Sequence, residues 1–189
     1  MNTEMEELLV EVTERVRSHF YGKYRGVVRD IDDPENLCRI KAEVPAIYED
    51  QASPWALPAL PFAGKDHGLV LLPEVGDGVW IEFEAGDINR PIWSGCWFAA
   101  GERPRPDGAK ARVLATSAGH KIVLDEDGDE IQIQHPGGGE LTMSADEIVL
   151  KLGICEIKMT QTEISLNHGM VKVTAAGASL VNDAFKVGV

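Results

Sequence analysis

Hydrophobic residues change their spacing along this chain of 189 residues, and each spacing predicts a different element. In the first segment they recur every three or four positions, which is typical of an amphipathic helix, and Thr3 with Glu6 forms a capping box. We therefore predict a helix within residues 1–20. A single helix with an apolar stripe is not stable alone, so the stripe has to pack on its own domain or on a partner. The stripe consists of Met5, Leu8, Leu9, Val12 and Val16.

Between residues 21 and 100, apolar and polar residues alternate in short runs. Examples are Ile40–Val44 and Val79–Phe83. The second run is preceded by a turn-forming cluster at 73–78 and followed by another at 86–91. About five short strands without helices between them predict a small antiparallel barrel. An oligonucleotide/oligosaccharide-binding (OB) barrel fits this count, and an SH3-like barrel has the same pattern.

Residues 101–112 contain two prolines and two glycines without apolar periodicity, which predicts a linker. In residues 113–189 the apolar anchors then recur at an average spacing of about eight residues. A unit of one short strand and one turn cannot close a coil by itself, so its apolar face has to meet copies from other chains. Three chains are the simplest closed arrangement. The anchors are Ile131, Leu141, Ile148, Ile157, Ile164, Val173 and Leu180.

The predicted fold class is therefore all-β. An OB-fold barrel is followed by an intertwined triple-stranded β-helix, and a short N-terminal α-helix precedes both. We assign the helix to residues 1–20, the barrel to 21–100, the linker to 101–112 and the trimeric β-helix needle to 113–189.

The charge narrows the classes of partner. A net charge of −13, with no local lysine and arginine cluster, disfavours binding to nucleic acid and to anionic lipid. Three widely spaced cysteines, Cys38, Cys96 and Cys155, predict reduced and packed thiols in a protein made in the cytosol. The charged N-terminal segment lacks the apolar core of a signal peptide.

Three ordered motifs resemble the central spike of contractile injection machines. They are YGKYRGVVRDIDDPENLCRIKAEVPAI from Tyr21, PEVGDGVWIEFEAGDINRPIWSG from Pro73, and SAGHKIVLDEDGDEIQIQ from Ser117. This family includes baseplate assembly protein V of contractile-tailed phages and the valine-glycine repeat proteins of type VI secretion. The resemblance implies a homotrimeric structural spike that pierces the target envelope on sheath contraction and nucleates baseplate and tube assembly. It also implies assembly in the cytoplasm of the producing cell, within a phage tail or a tail-like particle that is released in some systems.

The resemblance also implies two partners. Only about twenty residues precede the barrel, so we expect a separate hub protein, with the helix stripe Met5, Leu8, Leu9, Val12 and Val16 as its interface. The terminal segment lacks the His-x-His pair that binds iron in some phage spikes, so we expect a tip protein of the proline-alanine-alanine-arginine family. Membrane contact is expected only on firing. The expected tip interface is Ala184, Phe185, Lys186, Val187, Gly188 and Val189.

Candidate chemistry along the chain is weak. His168 follows Ile164 and Leu166 at strand spacing, so three copies could hold a metal or an anion on a threefold axis; a histidine at a surface turn is the simpler interpretation. The acidic run 125–130 has the wrong spacing for an EF-hand and predicts a hairpin turn. Ser117, His120 and Asp125 have the residue types of a hydrolase triad without a nucleophile elbow. We therefore expect no enzyme activity and no cofactor.

The tryptophans indicate a second possible function. Four of them fall in the predicted barrel, where they could form a platform for sugars or fill the barrel and its subunit interfaces. The alternative to a spike is accordingly a trimeric OB-fold module that binds glycans. The four residues are Trp55, Trp80, Trp93 and Trp97.

Overall fold

The computed structural model describes residues 2–181 and 184–188, and it confirms an all-β chain with a short N-terminal helix. The helix α1 spans Asn2–Ser18. The described residues form two compact units, which divide between Glu102 and Arg103.

The first unit contains a curled five-stranded sheet and a separate two-stranded hairpin. The strand order in the sheet is β2-β1-β6-β7-β3, in which β3 and β7 run parallel and the other neighbours run antiparallel. The strands of the first unit are β1 (Tyr24–Asp30), β2 (Lys41–Glu43), β3 (Leu57–Pro58), β4 (Ala63–Gly64), β5 (His67–Gly68), β6 (Gly78–Phe83) and β7 (Pro91–Trp97).

Alternation along these strands builds the core of the first unit. In β6 the side chains of Val79, Ile81 and Phe83 are buried, while the residues between them are half-buried. Trp93 of β7 joins this cluster, and its indole N–H donates to the carbonyl of Cys38 at 3.0 Å. The core is therefore formed by the apolar positions that the alternation predicts. The buried cluster is Val28, Ile40, Ala42, Val44, Ala56, Val79, Ile81, Phe83 and Trp93.

A short helix and an aromatic anchor complete the first unit. Pro45 begins the helix α2 (Pro45–Tyr48), a position where proline's fixed φ fits and its missing N–H costs nothing. The segment after α1 is attached to the sheet by Phe20, whose N–H donates to the carbonyl of Gly86 at 2.9 Å. The Phe20 ring also contacts Tyr24 and Phe83 edge-on.

The second unit is one antiparallel sheet of ten strands, in which each strand pairs with its neighbours in the chain. The first of them begins at Ala111, within the segment 101–112 that the sequence marks as a linker. The strands are β8 (Ala111–Ala115), β9 (Lys121–Asp125), β10 (Glu130–Gln134), β11 (Gly139–Met143), β12 (Glu147–Leu152), β13 (Cys155–Thr160), β14 (Glu163–Leu166), β15 (Val171–Thr174), β16 (Gly177–Leu180) and β17 (Phe185–Gly188).

The cysteines differ from the expectation in one respect. All three carry free thiols, but Cys96 and Cys155 are exposed in the chain and only Cys38 is half-buried. Within the single chain, packing of the thiol is therefore found only at Cys38. Although Cys96 is exposed as a residue, partial desolvation of its sulfur raises the pKa of the thiol, and the nearby Asp77 carboxylate adds to this effect, so the thiol stays protonated at neutral pH.

Candidate oligomerisation surface

One face of the ten-stranded sheet is apolar from its first strand to its last. The register places Leu150 opposite both Leu141 and Ile157, and directly paired residues point to the same face of a sheet. We call this surface the apolar face. It consists of Leu114, Ile122, Leu124, Ile131, Ile133, Leu141, Met143, Ile148, Leu150, Leu152, Cys155, Ile157, Met159, Ile164, Leu166, Val171, Val173, Ala178, Leu180, Phe185 and Val187.

The described residues of the second unit do not cover the apolar face. Leu152 is 65% exposed and Phe185 is 59% exposed, although both belong to regular strands. Among the described residues of the second unit, the buried apolar side chains are only Ala111 and Val123. A sheet without a packed face cannot be stable as a single layer, so the second unit needs another apolar surface to cover it.

The opposite face is mostly polar and carries ion pairs. Lys158 of β13 contacts Glu147 of β12, and Lys172 of β15 lies 3.7 Å from Glu163 of β14. The hydrogen bond that Lys158 donates to the Glu147 carboxylate, with the charges of Glu147, Glu156 and Glu163, raises the pKa of Lys158 above its ordinary value. This face is therefore suited to water, which leaves the apolar face as the surface for association.

The turns at one end of the strands of the second unit share one hydrogen-bond pattern. The hydroxyl of Thr160 accepts from the N–H groups of Thr162 and Glu163 at 3.3 and 3.2 Å. The hydroxyl of Ser144 accepts in the same way from the amides of Asp146 and Glu147. In the turn between β9 and β10, the Asp125 carboxylate accepts from the amides of Asp127 and Gly128. These side chains satisfy turn N–H groups and fix the strand spacing.

His168 lies in the turn between β14 and β15. Its φ is 57°, and its Nδ1 lies 3.5 Å from an Oε1 atom of Glu156, with the side chain 71% exposed. In residues 2–181 and 184–188, no group of three or more His, Cys, Asp or Glu side chains is placed to hold a metal. The geometry of a single chain thus gives His168 a turn position with one carboxylate neighbour.

The triad-type residues are not brought together. His120 lies at one end of β9, where the centre of its ring is 4.9 Å from the centre of the His135 ring. Asp125 lies at the other end of the strand, where its carboxylate accepts from a turn amide. A full strand length therefore separates the imidazole from the carboxylate. This arrangement offers no nucleophile, base and orienting acid in hydrogen-bond reach.

The residues expected at the tip interface form the last described strand. β17 pairs with β16 along one edge, so Phe185–Gly188 present their other edge without a strand from the described chain. Phe185 and Val187 belong to the apolar face, and Lys186 points to the polar one. Ala184 lies in the preceding turn, and Val189 lies outside the described residues.

The residues expected at the hub interface are exposed along α1. Their exposed fractions range from 52% at Val12 to 70% at Val16. The stripe therefore does not pack on the described chain, which removes one of the two options that the sequence leaves open. Its members are Met5, Leu8, Leu9, Val12 and Val16.

The tryptophans differ in their surroundings. Trp93 is buried, and the Arg25 guanidinium lies 5.6 Å from the ring centre of Trp80 and 5.2 Å from that of Trp97. Trp97 also packs directly on Gly78. Any larger residue at that position would clash, since a Cβ atom would lie 2.5 Å from the indole. Trp55 carries a cation as well, since Lys41 Nζ lies 4.5 Å from its ring centre. Three of the four indoles therefore already have a cation against the ring, and the fourth is buried.

Comparison with known families matches both units. The profile of the type VI secretion system and phage-baseplate injector OB domain matches residues 24–98. The profile of the phage baseplate V C-terminal trimerisation domain matches residues 111–172. Together these matches cover well over half of the chain. Across the described residues, no helix is both long enough and apolar enough to span a membrane.

Proposed function

Because this chain belongs to the family of phage-baseplate and type VI secretion spike proteins, we propose that it is the central spike of a contractile injection machine. The family gives it a structural role in a phage tail or tail-like particle, and the trimerisation domain makes it a homotrimer. The observation that carries the proposal is the apolar face, which runs over ten strands and is not covered by the described residues of the second unit.

Three apolar faces would cover one another in an intertwined triple-stranded β-helix. Complete burial of an exposed leucine or isoleucine contributes about 1.5–3 kcal/mol, and the partly exposed apolar side chains of this face would each contribute a share of that on association. The charged polar faces would then line the outside. Bending such a prism would break many backbone hydrogen bonds together, so the needle is stiff enough to concentrate the force of sheath contraction on a small area of the target envelope.

The same spike would close the tube during assembly. We propose that the first unit docks on a separate hub protein and nucleates the baseplate and tube in the cytoplasm of the producing cell. The net charge of −13 suits a part that stays free of nucleic acid and lipid until the machine fires. Producing cells that lack this chain should then yield no assembled particles, which electron microscopy of lysates checks; intact particles in that strain would contradict the nucleating role.

The end of the needle is proposed to carry a separate tip protein. Phe185 and Val187 are 59% and 62% exposed, and three copies would form an apolar triangle beside three open strand edges. Exposed apolar surface of this kind is typical of a protein interface. A tip protein of the proline-alanine-alanine-arginine family would cover it.

The solution mass of the purified protein tests the needle. We expect light scattering to give about three times 20.6 kDa, and an unheated denaturing gel to retain the trimer. Leu150→Gln places an amide on the apolar face and should weaken the trimer, whereas Lys151→Gln changes the neighbouring residue on the polar face and should not. A monomeric wild-type protein, or equal effects of the two substitutions, would overturn the proposal.

A further inference from the structure

The stripe of α1 has the spacing of a coiled coil. Met5, Leu9, Val12 and Val16 follow one another at intervals of four, three and four residues, which is a heptad with Leu9 and Val16 at position a and Met5 and Val12 at position d. All four side chains are exposed in the single chain. This spacing allows the seam to be buried between copies of the same helix.

The acidic residues of the helix lie away from this seam. In the same heptad, Glu7 and Glu14 take position f and Glu11 takes position c, both on the outer side of a coiled coil. Leu8 takes position g and widens the apolar strip, and Thr13, at position e, bonds its hydroxyl to the carbonyl of Leu9. Only Glu6 places a carboxylate beside the seam. Copies of this helix can therefore approach one another without stacking like charges.

We propose that the α1 helices of three chains associate in parallel through Met5, Leu9, Val12 and Val16 and form a short three-stranded coiled coil. The inference rests on the trimer, because tethering three helices in one assembly raises their effective concentration to about the millimolar range. That tethering offsets the low stability of an isolated helix of 17 residues.

This assignment changes the expected role of the stripe. If the seam is filled by copies of the chain, the hub protein has to contact the outer, acidic side of the helices or another surface of the first unit. A basic hub surface would then complement Glu7, Glu11 and Glu14.

Cross-linking of the full-length protein, purified without other baseplate proteins, tests the inference. Val12→Cys places a thiol on the seam and Val10→Cys places one at the outward position b of the same helix; both are made in a protein carrying Cys96→Ser and Cys155→Ser. We expect mild oxidation to link chains through the seam cysteine and not through the outward one, as read on a denaturing gel without reductant. Equal cross-linking, or none at the seam, would overturn the coiled coil.

Two further measurements separate this inference from the spike proposal. Light scattering on the same samples reports the trimer, so a trimer without seam cross-links removes the coiled coil alone, and a monomer removes both. Amide hydrogen exchange in residues 2–18 should show protection in the wild-type protein that Val12→Asp abolishes and Val10→Asp retains. Protection that survives Val12→Asp, or a wild-type helix without protection, would contradict the seam.

Discussion

Asp33 organises the loop between β1 and β2. One carboxylate oxygen accepts from the backbone of Glu35 and from the Arg39 guanidinium, whose Nε lies 2.9 Å away, and the other accepts from the amides of Leu37 and Arg39. The side chain is only 4% exposed. These bonds hold a loop in which Asn36 and Cys38 adopt positive φ, a conformation that costs free energy without such support.

Asp33→Asn should lower the thermal midpoint of the first unit, because an amide nitrogen cannot accept these bonds and the Arg39 charge loses its partner. Asp32→Asn, at the exposed neighbouring position, is the matched control and should leave the midpoint unchanged. Circular dichroism melts of the two variants check this. Equal midpoints for both would show that the loop does not depend on Asp33.

The same contact predicts an acid dependence. The Arg39 guanidinium holds the pKa of Asp33 well below its ordinary value of 3.8, so the folded protein keeps the charge while the unfolded chain takes up a proton. The resulting stabilisation is complete above about pH 4 and is lost as the pH falls further. The difference in urea midpoint between wild type and Asp33→Asn should therefore shrink from about pH 6 to about pH 3. A constant difference would contradict the assigned cause.

Tyr48 should make the stability of the first unit fall at alkaline pH. Its hydroxyl donates to the carbonyl of Ile88 at 2.5 Å, and burial, helped by the charge of Asp87, raises its pKa from 10.0 to about 12. The unfolded chain loses this proton first, so stability should fall between about pH 10 and about pH 12. Tyr48→Phe should cost about 1 kcal/mol at neutral pH and remove that part of the decline. Urea unfolding of both proteins across this range checks it; parallel declines would contradict it.

At the scale of single elements, the turns of the second unit set the strand spacing. Thr160→Val keeps the side-chain shape but leaves the amides of Thr162 and Glu163 without their acceptor, which should cost about 0.5–1.5 kcal/mol. Thr162→Val lies in the same turn, and its hydroxyl takes no part in these bonds, so it serves as the control. Thermal unfolding of the two variants measures the difference. A larger loss for Thr162→Val would show that the turn is not held by Thr160.

The periodic elements could be predicted from sequence, and the irregular ones could not. The eight-residue spacing that includes Ile148, Ile157 and Ile164 indicates one strand per unit with a single apolar face, and the register confirms that these residues share it. The strands β3, β4 and β5 have two residues each, and such pairs form only because the surrounding fold brings them together. Likewise, the Asp33-Pro34 pair indicates a turn, while its bonds to Leu37 and Arg39 depend on a loop path set by two positive φ values.

The site was predictable to a similar degree. Alternation identified the apolar face because its physical cause, burial of one side of a sheet, leaves a period of two in the sequence. The cation on each indole was not predictable, since Arg25 meets Trp80 and Trp97 only through the pairing of β1, β6 and β7. Exposure of the helix stripe also required the structure, because its pattern fits packing on the barrel as well as packing on a partner.

For the whole molecule, the two units bury their apolar surface in different ways. The first unit has its own core, whereas the apolar face of the second is exposed among its described residues and would be covered in the proposed trimer. Folding that requires association becomes more favourable as protein concentration rises, and folding around an internal core does not. Calorimetry should therefore resolve two transitions, of which only that of the second unit moves to higher temperature with concentration.

Substitutions in each unit assign these transitions. Ile81→Val removes one buried methylene from the core of the first unit, which should cost about 0.5–1.5 kcal/mol and lower only the concentration-independent midpoint. Leu150→Gln should lower only the concentration-dependent one, since Leu150 is half-exposed in the single chain and buried only by association. If both substitutions shift a single common transition, the two units unfold as one, and association then stabilises the barrel as well as the needle.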